Sequence, residues 1–307
     1  MLRCSHQLLE DAMVTRKFGA VLLFIIVWKA MTAHAEPQVV EPMLVDFWSG
    51  NRTEARQDYE REVLKAILDA TVETHGQWQL EEDKSDYPSA QDEAGVFRGK
   101  GHDLFATVAG NKKLANESKI VVPDPIMKGL LGYRILIIRE QDREKFANIT
   151  SAQQLKQLRL GIPETWADAD LFRHNGYTVV ERGDFDGLFK RLAAGEFDYV
   201  AFGANEVEDV YKNRAQALGG LIVDDSLLIF YPFPLVFYVH PEKVELARRV
   251  HSGLQKITKN GKLDEIFVNH YSNVIENLGI DQRLFIELEN PILPSYLKGS
   301  ESGLLKK

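Results

Sequence analysis

Cysteine is almost absent from this chain of 307 residues, in which Cys4 is the one cysteine. A single cysteine cannot form an internal disulfide or supply a cysteine zinc site, so both are excluded. Cys4 also lies within a segment whose removal we expect below, which would leave no thiolate nucleophile and no cysteine to carry a lipid. Stability must therefore come from the core, which a chain of this size can bury.

Basic residues are fewer than acidic ones. The 37 Lys and Arg are outnumbered by 45 Asp and Glu, which gives a formal net charge of -8. The first 35 residues hold four of the basic and two of the acidic residues, so the remainder carries -10. This balance argues against nucleic acid as a partner, because nucleic-acid binding needs a basic footprint. It argues equally against a polybasic membrane-binding face.

Catalytic and metal-binding motifs are missing as well. The sequence contains no G-x-S-x-G, no H-E-x-x-H and no phosphate-loop pattern. No spacing of His, Asp or Glu favours a metal. We therefore expect that the protein is not an enzyme and has no catalytic residue, metal or cofactor. The alternative of a cell-wall-active or small-molecule enzyme needs a cleft carboxylate with a perturbed pKa, for which Glu206 is the candidate.

One apolar run stands out near the start. It spans Phe18–Trp28, follows the basic pair Arg16-Lys17 and precedes the small-x-small triplet Ala33-His34-Ala35. The run is shorter than the twenty or so residues that a membrane-spanning helix needs. We predict a cleaved signal peptide over residues 1–35 and a periplasmic location for the rest. The alternative is an uncleaved anchor, and Met13 is a possible true start.

The rest of the sequence alternates between strand and helix patterns. A strand ending at Phe47 precedes a helix over Thr53 to Thr74, whose apolar residues recur every three or four positions. The segment from Ser151 to Asn213 repeats a strand and a helix, which is typical of a parallel sheet covered by helices. Within it, Thr165, Asp184 and Asn205 are typical helix N-caps. The last third is predicted to be helical.

Strongly apolar extended segments near 133–140 and 227–240 separate two α/β blocks. They predict a two-lobed α/β fold in which each lobe is a mostly parallel sheet flanked by helices and two crossings join the lobes. The second lobe would be inserted into the first. The expected boundaries are 36–137 for the first part of lobe 1, 138–232 for lobe 2, 233–298 for the return of lobe 1 with C-terminal helices, and 299–307 for a tail.

Several segments, in their order, carry a family resemblance. They are KGLLGYRILIIRE (Lys128 to Glu140), DFDGLFKRL (Asp184 to Leu192), GEFDYVAFGANEV (Gly195 to Val207) and NGKLDEIF (Asn260 to Phe267). Over residues 38 to 295 the chain resembles type II periplasmic solute-binding proteins, the extracytoplasmic receptors of amino-acid ABC transporters. The subgroup it resembles is proteobacterial and known only as substrate-binding-like. The resemblance implies a two-lobed fold that closes on a solute by a hinge motion.

The sequence departs from that family at two positions. Amino-acid receptors of this type place an arginine after the third strand of lobe 1, where it binds the ligand carboxylate bidentately. Here Asn111 stands there, beside Lys112 and Lys113, and a lysine offers only a point charge. The turn Phe202 to Glu206 in lobe 2 holds no aspartate to bind an α-amino group, and Glu206 would either serve in its place or favour the helix start. We expect a small polar or anionic, amino-acid-like solute.

Eight residues are predicted ligand contacts, each with a structural alternative. Trp48 could form an aromatic wall or join the core, and Tyr59 lies on an apolar helix stripe that favours burial. Arg134 enters an apolar strand, so it needs either a ligand carboxylate or a structural Asp or Glu. The helix starts in lobe 2 could bind an anion or simply be capped. The full set is Trp48, Tyr59, Thr107, Arg134, Thr165, Trp166, Asn205 and Glu206.

The expected partners are a small-molecule solute and an inner-membrane protein. A permease would make the chain a transport receptor, whereas a kinase or cyclase would make it a sensor, and neighbouring genes would separate these alternatives. We expect a monomer.

Overall fold

The computed structural model describes residues 41–87, 92–98, 101–277, 279, 282–298 and 304. The predicted signal peptide lies outside these residues, as does all of the predicted tail except Leu304. The strands are β1 (Met43–Trp48), β2 (Trp78–Asp83), β3 (Leu104–Val108), β4 (Ile120–Val121), β5 (Tyr133–Arg139), β6 (Arg159–Ile162), β7 (Thr178–Glu181), β8 (Tyr199–Gly203), β9 (Leu221–Val223), β10 (Leu227–Phe230), β11 (Leu235–Val239) and β12 (Leu284–Glu287).

The helices alternate with these strands over most of the chain. They are α1 (Glu54–Asp69), α2 (Val72–His75), α3 (Arg143–Ala147), α4 (Ala152–Lys156), α5 (Ala167–His174), α6 (Phe185–Ala193), α7 (Val207–Val210), α8 (Val244–Lys259) and α9 (Lys262–Asn277). Among the described residues, no helix has the length and apolar character that crossing a bilayer requires.

The first sheet has the strand order β2-β1-β3-β11-β4. Strand β1 runs parallel to β2 and β3, whereas β11 runs antiparallel to β3 and β4. Helix α1 packs on α8 and α9, and α8 contacts β11 and β4. Val63 and Ile67 of α1 are fully buried, as the predicted apolar stripe requires. We call this sheet with α1, α8 and α9 the first lobe.

The second sheet has the order β12-β10-β5-β8-β6-β7, and β9 pairs with β5. Strands β6, β7 and β8 are parallel, as the repeated strand-helix pattern predicts. Strand β5 is antiparallel to β8, β9 and β10. Both sheets are therefore mixed rather than mostly parallel, because the strands next to the crossings run against their neighbours. We call this sheet with α3–α7 the second lobe, and the predicted two-lobed α/β class is confirmed.

The chain passes between the two sheets at the two predicted crossings and at a third, before β12, that the sequence does not predict. It leaves the first sheet after β4 to enter β5, and it returns between β10 and β11. After α9 it enters the second sheet again as β12, a strand within the part predicted to be helical. Strand β12 pairs in parallel with β10 over four residues. The predicted boundary between 137 and 138 falls within β5, and the domain limits stay predictions.

The N-cap predicted at Asp184 is confirmed, and Thr53 caps α1 in the same way. The Thr53 hydroxyl accepts from the backbone N–H of Arg56, and the Asp184 carboxylate accepts from that of Gly187 at 2.8 Å. These bonds satisfy N–H groups that a helix leaves unpaired in its first turn.

The N-caps predicted at Thr165 and Asn205 are wrong. Thr165 has φ 71°, and helix α5 begins two residues later. Its backbone N–H donates to the Glu181 carboxylate at 2.9 Å, which helps to hold a left-handed backbone that a β-branched residue disfavours. Asn205 lies in a turn closed by the bond from Glu206 N to the Gly203 carbonyl, at 2.8 Å. That turn delays the start of α7, so Glu206 takes the cap position.

Arg249 of α8 is fully buried and holds the end of α1. It donates to the carbonyls of Leu68 and Gly76, at 3.1 and 2.8 Å, and to the Thr71 hydroxyl at 2.9 Å. The last carbonyls of a helix have no partner within the helix, so a charged donor from α8 fixes the helix that carries the candidate site.

Candidate functional site

Charged side chains follow the carboxyl ends of a central strand in each sheet. Strand β1 ends at Trp48 and leads into α1, and β8 ends at Gly203 and leads into α7. Arg56 on α1 donates from Nε to Glu60 Oε1 at 2.7 Å and from Nη1 to Glu206 Oε1 at 3.1 Å. One guanidinium therefore joins the two lobes at the strand ends, where ligands of open α/β sheets bind.

This contact is largely withdrawn from water. Glu60 is fully buried, the side chain of Arg56 is 9% exposed and that of Glu206 is 15% exposed. Burial raises the pKa of Glu60, and the charge of Arg56 opposes that rise. Burial alone would lower the pKa of Arg56, but Glu60 and Glu206 outweigh it and raise that pKa. A buried guanidinium is tolerable only when it is paired, and the two carboxylates supply that pairing, so Arg56 stays charged.

Buried polar atoms without a hydrogen-bond partner surround this ion pair. They are Glu60 Oε2, both atoms of the Asn205 carboxamide and the Tyr271 hydroxyl. Asn205 is 6% exposed and Tyr271 of α9 is 2% exposed. Burial raises the pKa of Tyr271, as do Glu60 and Glu206, whereas the charge of Arg56 and the nearby Asn205 carboxamide lower it. The carboxamide lies close to the Tyr271 hydroxyl, but the two do not meet the distance and angle of a hydrogen bond. A buried polar atom costs free energy until it finds a partner.

Gly203 leaves the room that these side chains occupy. A Cβ at Gly203 would lie 2.7 Å from Asn205 Oδ1 and 3.3 Å from Glu206 Oε2. The two oxygens therefore converge above the last residue of β8. A larger residue there would push both of them away.

Arg134 lies in a second buried cluster within the second lobe. Its Nε donates to the Tyr231 hydroxyl at 2.5 Å, and its Nη2 pairs with Asp168. The guanidinium also lies 5.2 and 5.1 Å from the ring centroids of Tyr231 and Phe233. Burial alone would lower the pKa of Arg134, but Asp168, Tyr231 and Glu206 outweigh it and raise that pKa. Arg134 was predicted to pair with either a ligand carboxylate or a structural Asp or Glu, and the structure provides the second, Asp168.

Trp48 and Tyr59 are engaged inside the first lobe. Trp48 is 1% exposed and its indole donates to the Ser85 carbonyl at 2.9 Å. Tyr59 is fully buried and its hydroxyl donates to the Ile126 carbonyl. Both therefore follow their structural alternative, and we leave them out of the proposed site.

Thr107 is also engaged, one residue before the end of β3. Its hydroxyl accepts from the Asn111 carboxamide at 3.2 Å. The neighbouring Lys112 reaches across to Asp170 of the second lobe, with Nζ to Oδ2 at 2.5 Å. Both side chains of this second bridge are about half exposed, at 59% and 49%. We therefore expect it to stabilise the contact between the lobes less than the Arg56–Glu206 pair does.

Trp166 lies near the Arg134 cluster. It packs on Phe185 and Phe202, with ring centroids 5.6 and 6.1 Å away. A cavity of about 10 Å³ beside it is lined by Ile162 and Asp168 among others. The backbone N–H of the neighbouring Thr165 donates to the Glu181 carboxylate.

A larger groove of about 660 Å³ lies in the first lobe, between α1 and the α8–α9 pair.

Of the predicted contacts, the structure therefore brings Asn205 and Glu206 to the inter-lobe contact, with Arg134 close to Glu206 and Trp166 beside the Arg134 cluster. It also adds residues that the sequence analysis missed, namely Arg56, Glu60, Asp168, Tyr231 and Tyr271. A signal for the first two exists in the sequence. Positions 56, 60, 63 and 67 share one helix face at spacings of four, three and four, so a charged pair continues an apolar stripe.

The comparisons agree with this architecture. No protein-family profile matches the chain, and no curated protein does. Among solved structures, an ancestral arginine-binding protein bound to glutamine has a TM-score of 0.53 at 14% identity over 76% of this chain and 99% of its own. The GluR0 ligand-binding core in complex with L-glutamate has 0.52 at 14% identity, over 75% and 98%.

A histidine kinase sensor domain with similarity to periplasmic binding proteins has a TM-score of 0.50 at 14% identity, over 75% of this chain and 95% of its own. Identities this low carry the fold rather than the activity. The chain therefore has the two-lobed α/β fold of the type II periplasmic binding proteins.

Proposed function

We propose that this protein is an extracytoplasmic solute-binding protein that closes its two lobes around a small polar solute. The observation that carries the proposal is the Arg56–Glu206 pair. It joins the segments that follow β1 and β8 at 3.1 Å, and buried polar groups of both lobes surround it. A solute bound there would contact both lobes at once.

Contact with both lobes is what closure requires. A ligand shifts an equilibrium between open and closed forms only as far as its affinities for the two forms differ. Asn205 and Glu206 come from the second lobe, whereas Glu60 and Tyr271 come from the first. A solute that binds all four gains its second set of contacts only in the closed form.

The fold neighbours support a binding role. Two of them are described by the amino acid they hold, and one is a sensor domain. The charged groups at the contact are arginine–carboxylate pairs, which hold side chains and the two lobes in place. We therefore propose that the chain is a binding protein and not an enzyme.

We propose that the protein is exported by the predicted signal peptide and works as a monomer with an inner-membrane permease. The sensor domain among the neighbours keeps a signalling partner as the second candidate. A permease gene beside this one supports transport, and a kinase or cyclase gene supports signalling.

The test is a thermal-shift screen of the purified protein against a library of sugars, amino acids, amines and organic acids. We expect hits that raise the Tm and lose their effect in Asn205→Ala. Asp186→Ala is the matched control, because Asp186 is an exposed carboxylate of α6 in the same lobe. Hits that are unchanged in Asn205→Ala, or no hit in any class, would contradict the proposal.

A further inference from the structure

Three of the four buried atoms without partners at the inter-lobe contact can accept a hydrogen bond. Glu60 Oε2 and Asn205 Oδ1 can only accept, and the Tyr271 hydroxyl can accept or donate. Asn205 Nδ2 is the one group of the set that can only donate. An alkylammonium carries three N–H donors, one for each of the three atoms of the set that can accept a hydrogen bond.

The arginines near the contact already have partners for their charge or their N–H groups. Arg56 is held by Glu60 and Glu206, and Arg134 by Asp168. Arg52 donates to the backbone carbonyls of Asn51 and Ala106, both at 3.0 Å, and lies 5.2 Å from the Trp48 ring centroid. A ligand carboxylate would have to displace one of these partners. It would also approach Glu60 and Glu206, which are of like charge.

From this arrangement we infer that the solute is an organic amine without a carboxylate, whose ammonium group binds between Glu60 and Tyr271 of the first lobe and Asn205 and Glu206 of the second. The inference rests on the proposed function and specifies its ligand. The ammonium supplies donors to the buried acceptors, and its charge lies beside Glu60 and Glu206, which it would share with Arg56. Such charge-assisted hydrogen bonds are about twice as strong as neutral ones.

The test compares matched compounds by thermal shift and isothermal titration calorimetry on the whole protein. The pairs are putrescine with ornithine, cadaverine with lysine and agmatine with arginine, and succinate and glutarate serve as anions of similar length. We expect at least one amine to raise the Tm and to bind about tenfold or more tightly than its parent amino acid. The two dicarboxylates should have no effect.

Two variants assign the effect to this site. Glu60→Gln keeps the size of the side chain and removes its charge, so we expect amine affinity to fall about tenfold or more. Asn205→Asp adds a carboxylate and should raise amine affinity by about tenfold. Glu62→Gln is the matched control on the same helix, because Glu62 pairs with His270 away from the contact, and its amine affinity should be unchanged.

The outcomes separate the two proposals. If a dicarboxylate or an amino acid binds better than the matching amine, or if the amines fail while another compound class binds, the inference is overturned and the binding function stands. Amine binding that is unaffected in both Glu60→Gln and Asn205→Asp would also overturn it. No binding of any compound in the wider library would overturn both.

Discussion

The ion pair between Arg56 and Glu206 should set the balance between open and closed forms, and Glu206→Gln tests this. The substitution keeps the shape of the side chain and removes its charge. Arg56 retains its 2.7 Å bond to Glu60 in the same helix, so the first lobe should stay intact. Only the bond across the lobes loses its charge.

The size of the effect follows from the geometry. Two charges 3.1 Å apart attract by about 5 kcal/mol at an effective dielectric constant of about 20. The cost of taking both groups out of water offsets much of that attraction. Gln still accepts a hydrogen bond, so we expect a net loss of about 1–2 kcal/mol from the closed form. This corresponds to a shift of about 5- to 30-fold in the ratio of closed to open molecules.

Distances between spin labels would measure this shift. Lys65 on α1 and Lys190 on α6 are exposed positions on the two lobes. Cys4 is the one native cysteine, so cysteines at these two positions can be labelled selectively in a Cys4→Ser background. Double electron–electron resonance should then show a longer-distance population that grows in Glu206→Gln.

Asp170→Asn is the control for this experiment. It breaks the exposed bridge to Lys112, which also joins the lobes, and exposed pairs contribute about 1 kcal/mol or less. We expect it to change the distances less than Glu206→Gln does. Identical distance distributions for the original chain and Glu206→Gln would refute the reasoning.

Three further predictions concern residues that support the site. Arg249→Met leaves carbonyls at the end of α1 without their donor and should lower the free energy of unfolding in urea by about 2 kcal/mol, whereas the exposed neighbour Arg248→Met should change it by less than about 0.5 kcal/mol. Burial alone would raise the pKa of Asp198, but hydrogen bonds from Arg159 outweigh it and lower that pKa. The ionised Asp198 therefore stabilises the fold above the unfolded-state pKa of about 4, and this stabilisation is lost as the pH falls below that value. In Asp198→Asn, the free energy of unfolding in urea should lose this part of its dependence on pH between pH 5 and about pH 2, and an unchanged profile would contradict the assignment. Gly203→Ala places a Cβ 2.7 Å from the carboxamide beside it and should abolish the thermal shift with solute at a cost of about 1–3 kcal/mol in stability, and a normal solute response would remove Gly203 from the site.

The fold was largely predictable because its signals are local. Strand β5 spans Tyr133–Arg139, within the apolar extended segment predicted near 133–140. The cap at Asp184 follows from one side chain and a bond three residues away. Strand β12 was missed because four residues, Leu284–Glu287, give too short a pattern, and only pairing with β10 makes them a strand.

The site was predictable only in part, because its contacts join distant parts of the chain. Arg56 and Glu206 are 150 residues apart, and no local pattern links them. The need of Arg134 for a partner could be inferred from its place in an apolar strand. That the partner is Asp168, rather than a ligand, depends on how α5 packs against β5.

The errors at Thr165 and Asn205 have different causes. Both are residue types that favour N-caps, and propensity alone assigns them to that role. At Thr165 a bond to a distant residue decides otherwise, since Glu181 takes its backbone N–H. At Asn205 the cause is local, since the turn closed by Glu206 N and the Gly203 carbonyl moves the start of α7.

A crystal structure grown with the compound that raises the Tm most would show where the solute binds. We expect the compound to lie between the lobes, in contact with Asn205 and Glu206 on one side and with Glu60 and Tyr271 on the other. A compound bound instead in the groove between α1 and the α8–α9 pair, with no contact to the second lobe, would contradict it.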